Sequence, residues 1–167
     1  MFRISQYMRE IAEAEQTGRY PTPAPRVRQQ PGKGAGEAAS QRPGPVVIWN
    51  LIRRCNLTCK HCYALSADHE YAGELSWSEV VTVMDDLKAY SVPVLILSGG
   101  EPLMRPDIFD IANRSRAMGF YTGLSTNGTL IDAPMADRIA ATGFDYVGIS
   151  LDGLRETHDR FRRLDGA

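Results

Sequence analysis

Cys55, Cys59 and Cys62 are the only cysteines of this chain, and they stand together in the run RRCNLTCKHCY with C-x3-C-x2-C spacing. Thiolates are soft ligands that suit iron–sulfur clusters and zinc. Three of them can hold three irons of a cubane, whereas a 4Fe–4S cluster ordinarily takes four cysteines. One iron is then left without a protein ligand, open to an amine or carboxylate. Two further readings stand beside this one. A Cys3His zinc site could draw on His61 or His69, although His61 sits between Cys59 and Cys62, tighter than usual zinc-finger spacing. Three free thiols without metal are the other.

Three more stretches carry groups with chemical use. Gly99-Gly100-Glu101-Pro102 pairs two residues lacking Cβ with a carboxylate. The glycines let a ligand come close to the backbone, and Glu101 can accept from an ammonium group. Ser125-Thr126-Asn127-Gly128 and Ser150-Leu151-Asp152-Gly153 offer hydroxyl, amide and carboxylate groups, which suit a ribose or an amino-acid moiety. Each string alone also reads as an ordinary turn or helix cap.

The elements that must position these groups follow a regular alternation. Apolar runs over 46–51 (VVIWNL), 94–98 (VLILS), 121–125 (YTGLS) and 146–150 (YVGIS) predict four strands, the first read as buried on both faces. Between them lie amphipathic stretches with helix signals. Ser76 and Glu79 form an S-x-x-E capping box ahead of Val80, Val83, Met84 and Leu87, predicting a helix that ends near Tyr90. Pro106 and Asp107 suit a first turn, with Gly119 as stop; Asp132 can cap a third helix that Gly143 ends. The order β-α-β-α-β-α-β predicts a parallel sheet with right-handed crossovers. Every unusual loop follows a strand, and parallel α/β architectures bind ligands at that edge.

Composition sets the outer bounds. The 167 residues suffice for one domain, and a net charge of -1 points to neither nucleic acid nor an anionic membrane surface as partner. No apolar run approaches the length of a membrane span. The N-terminus is interrupted by Arg9, Glu10 and Glu13, so it does not read as a signal peptide. The expected compartment is the reducing cytoplasm, where clustered cysteines argue for metal or catalysis over disulfides. Residues 1–16 carry Ile4, Tyr7, Met8 and Ile11 on one helix face, and predict a short amphipathic helix. Residues 17–45 are rich in Pro and Gly and read as a linker, leaving 46–167 as the core.

Taken in order, the cysteine motif, GGEP, STNG and SLDG resemble the radical S-adenosylmethionine (radical SAM) superfamily from about Val46 onward. The resemblance implies a partial (β/α) barrel of parallel strands. It implies that Cys55, Cys59 and Cys62 hold a 4Fe–4S cluster whose open iron binds the amino and carboxylate groups of SAM. Reductive cleavage of SAM would then yield a 5′-deoxyadenosyl radical that abstracts hydrogen from substrate. Gly99, Gly100 and Glu101 match the family's binder of the SAM amino group, and Ser125 and Asn127 its third-strand site. Ser150 and Arg162 match a serine and an arginine that contact SAM in peptide- and tetrapyrrole-modifying relatives. His61 takes the usually aromatic position before the last cysteine, whose backbone contacts adenine. His158 and Asp159 are read as local structural bonding.

The start of the chain and the flanks of the cysteines resemble the haem d1 biosynthesis members of the superfamily. These act on an iron tetrapyrrole, didecarboxysirohaem, and remove propionate side chains. An electron donor such as flavodoxin or ferredoxin is implied. A peptide-modifying maturase is the alternative enzyme, and a non-catalytic iron–sulfur or zinc module the alternative of another class. The family core has six strands, while four are predicted here before the chain stops at RFRRLDGA. The chain therefore reads as an N-terminal portion of a longer protein, truncated after the fourth strand.

Overall fold

All four predicted strands form, and they pair side by side. The computed structural model describes residues 44–167. The predicted helix over 1–16 and residues 17–43 of the predicted linker lie outside the described residues. Strands β1 (Val46–Ile52), β2 (Val94–Gly99), β3 (Tyr121–Thr126) and β4 (Tyr146–Ile149) make one parallel sheet in sequence order. Sequential order in a parallel sheet requires each crossover to return on the same side. Helices α1 (Trp77–Ala89), α2 (Ile108–Ala117) and α3 (Ala133–Thr142) are those crossovers. A fourth helix, α4 (Arg155–Arg162), follows β4, and a single 3-10 turn (Pro102–Met104) follows GGE.

The local signals work as the residue types dictate. Ser76 accepts from the Glu79 N–H and the Glu79 carboxylate accepts from the Ser76 N–H, so the capping box is closed. The Asp132 carboxylate accepts from the Met135 N–H at 2.8 Å and starts α3. Asp107 precedes α2 without such a bond.

One face of the sheet carries the core. Leu51, Leu95, Leu97 and Leu124 point to the helices and meet Val80, Met84, Ile108, Ile111 and Ile139. Central β2 is buried on both faces, with Leu95, Ile96 and Leu97 all at 3% exposure or less. Strand β1 departs from the expectation. Val46 and Ile48 are 53% and 61% exposed, because helices cover one face only and side chains alternate across it. Strand β4 departs differently. Val147 and Ile149 pair with Leu124 and Thr126, so they share the helix-side face, yet they are exposed. Helix α4 does not lie behind them; its Phe161 carbonyl accepts the Lys60 N–H at 2.8 Å, which places it at the cysteine segment. Among the described residues, no helix is long and apolar enough to cross a membrane.

Candidate functional site

The C-terminal ends of the strands surround one cavity of about 220 Å³. Cys55, Cys59 and Cys62 line one side and are free of disulfides. Gly99 and Gly100 line it from β2, Ser125 and Asn127 from β3, and Ser150, Arg162 and His61 complete the wall. Of the residues matched from sequence to cluster or SAM contacts, Glu101 alone does not line it.

Backbone bonds fix the cysteine segment at both ends and in the middle. The Gly100 and Glu101 N–H groups donate to the carbonyls of Ile52 and Arg54, the Cys55 N–H to that of Ala67, and the Lys60 N–H to that of Phe161. Each sulfur also meets a donor. The Leu57 N–H lies 3.4 Å and the Asn127 amide 3.7 Å from the Cys55 sulfur. The Ser66 N–H reaches Cys62 at 3.5 Å, and Arg162 Nη1 lies 3.7 Å from Cys59. Burial pushes the Cys55 thiol up, the Leu57 N–H opposes it, and the Glu101 carboxylate adds to the rise. At Cys62 burial also acts upward, but the donors of Ser66, Ala64 and Leu65 together outweigh it and bring that thiol below the ordinary range. The Ser66 hydroxyl turns toward Cys62 and finds no other partner, although it is buried. Three sulfurs, an unsatisfied hydroxyl and an arginine on one wall could hold an anionic, acceptor-rich group such as an iron–sulfur cluster. Among the described residues, no three His, Cys, Asp or Glu side chains are arranged to hold a single metal ion. His69 instead packs on Tyr71 at 4.0 Å and His61 on Phe161 at 5.5 Å, so the Cys3His arrangement is not formed.

The GGE segment is packed and bonded within the protein itself. A Cβ on Gly99 would collide with the Ile52 carbonyl, and one on Gly100 with the carbonyls of Arg53 and Arg54. The glycines are thus required by the close approach of the cysteine segment itself, and Gly99 adds a φ of 150°. Glu101 has no exposed surface. One carboxylate oxygen accepts from the Leu103 N–H at 3.1 Å and the Thr126 hydroxyl at 2.7 Å, the other from the Asn127 N–H at 2.8 Å. The carboxylate is already occupied by protein donors and ties the second rim loop to the third. Burial raises its pKa, with the Asn127, Thr126 and Leu103 bonds acting against that rise.

The third and fourth loops divide their residues between lining and holding. The Asn127 side chain is engaged throughout: its oxygen accepts from Thr129, and its amide donates to Asn56 Oδ1 at 2.9 Å. It joins the cysteine segment to the third loop. Ser125 and Ser150 line the cavity without a side-chain bond among the described residues. Arg162 Nε stands 2.7 Å from Asp152 Oδ2, a pair whose two side chains are 9% and 20% exposed. His158 accepts the Asp152 N–H at Nδ1, and Asp159 accepts the N–H groups of Gly166 and Ala167, so both serve local bonding.

Sequence reasoning passed over Ser98, Ser66, Asn56 and the position of Asp152. Ser98 was findable: it lines the cavity, and a serine stands at the end of each of β2, β3 and β4, at 98, 125 and 150. Nothing in the sequence marks Asn56, whose amide reaches Thr129 across the rim at 2.8 Å.

The family model described as the radical SAM superfamily matches residues 49–166. The chain is 48% identical over all of its 167 residues to a "pre-heme d1 synthase" of Dinoroseobacter shibae, covering 37% of that protein. It is 51% identical over 123 residues, 74% of the chain, to an "Fe-coproporphyrin III synthase" of Methanosarcina barkeri, covering 31% of it. Streptococcus suis SuiB bound to S-adenosylmethionine shares the fold, with a TM-score of 0.61 over 98% of this chain and 35% of that one at 16% identity. The chain thus spans about a third of the length of these relatives. With the strand order, the rim loops and a family match over most of its length in agreement, the chain belongs to the radical SAM superfamily.

Proposed function

We propose that this chain carries the cluster- and SAM-binding part of an enzyme that modifies an iron tetrapyrrole, removing propionate side chains from didecarboxysirohaem in haem d1 formation. The observation that carries the reading is the 48% identity to a pre-heme d1 synthase along the whole chain, including the residues ahead of the cysteines. Cys55, Cys59 and Cys62 are the residues that would hold three irons of a 4Fe–4S cluster, one thiolate to each iron. When bound, the reduced cluster supplies the electron that cleaves the S–C5′ bond of SAM.

The chain's own residues bind and orient. Arg162 lies beside Cys59, and with Ser150 on the cavity wall it suits the carboxylate of SAM, while Ser125 suits its polar groups. Gly99 and Gly100 offer bare backbone to the cavity for the amino group of SAM, and His61 its backbone to the adenine. Glu101 and Asn127 act from behind by fixing the loops, since their polar atoms already meet protein partners. An electron donor such as flavodoxin or ferredoxin and a cytoplasmic setting complete the proposal.

The test is anaerobic reconstitution with iron and sulfide, reduction, and electron paramagnetic resonance (EPR) with and without SAM. The expected result is a reduced cubane signal that shifts on adding SAM, and its loss in Cys59→Ala. A signal indifferent to SAM overturns the cofactor assignment. SAM cleavage that leaves didecarboxysirohaem unchanged overturns the substrate.

A further inference from the structure

Arg162 is 8% exposed, and a buried guanidinium is costly unless it is paired. Among the described residues, Asp152 is the one carboxylate in ion-pair contact with it, at 2.7 Å. The two come from different places: Asp152 from the loop leaving β4, Arg162 from the last residue of α4. Asp152 is itself held. Its N–H donates to His158 Nδ1 at 3.2 Å, and its Oδ1 stands 3.6 Å from His61 Nε2.

The arginine reaches further. Nε and Asp152 Oδ2 are buried and have no hydrogen-bond partner, so the 2.7 Å contact between them is one of charge, and Nη1 lies 3.7 Å from the Cys59 sulfur. Cys59 also differs from its two neighbours. Cys55 and Cys62 accept backbone N–H groups, whereas Arg162 is the one donor to the Cys59 sulfur among the described residues. A planar guanidinium fixed at one edge has its other edges fixed too. The carboxylate that sets Nε therefore sets what the guanidinium presents to Cys59 and to the cavity.

We propose that Asp152 is a positioning residue: it holds Arg162 so that one edge of the guanidinium serves the Cys59 sulfur and the remaining edge faces the cavity to receive the carboxylate of the bound cofactor. The proposal rests on the cluster and SAM reading above. Hydrogen bonds and charge beside a cluster cysteine shape the electronic state of the cluster. Asp152 thus acts on both the metal and the cofactor through Arg162, without touching either.

Four chains test it: the parent, Asp152→Asn, Arg162→Gln and the double variant, with Asp152→Glu as the conservative control. In the metal-free chain the Arg162 Nε–H resonance should be protected from exchange in the parent, exposed in Asp152→Asn and protected again in Asp152→Glu. In the reconstituted chains Asp152→Asn should keep its iron content and weaken SAM binding by about 10- to 100-fold, the usual size of an outer-shell effect. Its EPR signal should resemble that of Arg162→Gln. The double variant should equal Arg162→Gln alone, because a residue acting only through another adds nothing once that other is gone. Parent-like exchange and SAM binding in Asp152→Asn, or additive losses in the double variant, would overturn the positioning role. A parent without a SAM-sensitive signal whose Nε–H still depends on Asp152 would instead sink the cofactor reading and leave the positioning role standing.

Discussion

The Glu101 side chain ties two rim loops together. Two N–H groups and one hydroxyl converge on its carboxylate in a site without water contact. Glu101→Gln turns an amide toward one of these donors, so one bond is lost and two donors face each other. We expect a loss of about 1–3 kcal/mol in denaturant unfolding. The pH dependence carries a sign as well. Burial raises this carboxyl above its ordinary value of 4.5, so the folded state binds the proton more tightly than the unfolded chain. Its contribution is greatest below 4.5 and is lost as the pH rises toward the raised folded value. The parent should therefore lose stability relative to Glu101→Gln as the pH rises through that window, measured by urea midpoints across a pH series. A constant difference between the two would show that Glu101 does not titrate as described.

At the scale of elements, the cysteine segment and the GGE segment are one unit. The Gly100 N–H donates to the Ile52 carbonyl, and the Glu101 N–H to that of Arg54, which leaves no space for a Cβ on either glycine. Gly100→Ala should force the two segments apart, at a cost of about 1–3 kcal/mol from overpacking. Iron uptake on reconstitution should fall with it, even though every cysteine remains. Normal iron content with parent-like thermal unfolding would refute this. Helix α4 belongs to the same unit, through the Lys60–Phe161 backbone bond and the Arg162–Cys59 contact.

At the scale of the whole molecule, helices cover one face of the sheet, and among the described residues β1 and β4 are its edges. Val46 and Ile48 on one edge strand and Val147 and Ile149 on the other are exposed. Unpaired edges beside apolar side chains template further pairing. The chain by itself should self-associate with rising concentration, seen by light scattering. Ile149→Lys should reduce that association without altering the sheet, as circular dichroism would report. Association unchanged by the substitution would place the contact elsewhere.

The sequence by itself determined the strands, their order and the rim to which the loops belong, because period-two and helical patterns and capping residues are local properties. It also determined the family, through motifs that sit at strand ends. Tertiary structure alone decided three things. The helices cover one face, so β1 is exposed where an apolar run suggested full burial. The glycines of GGE accommodate backbone, and the Glu101 carboxylate is filled by donors from Leu103, Thr126 and Asn127. Asp152 reaches Arg162, and Arg162 reaches Cys59, only because α4 turns back to the cysteine segment. The contacts of Glu101 with Thr126 and Asn127 and of Arg162 with Cys59 join residues far apart along the chain, and no local pattern encodes which donor will meet which acceptor across such a distance.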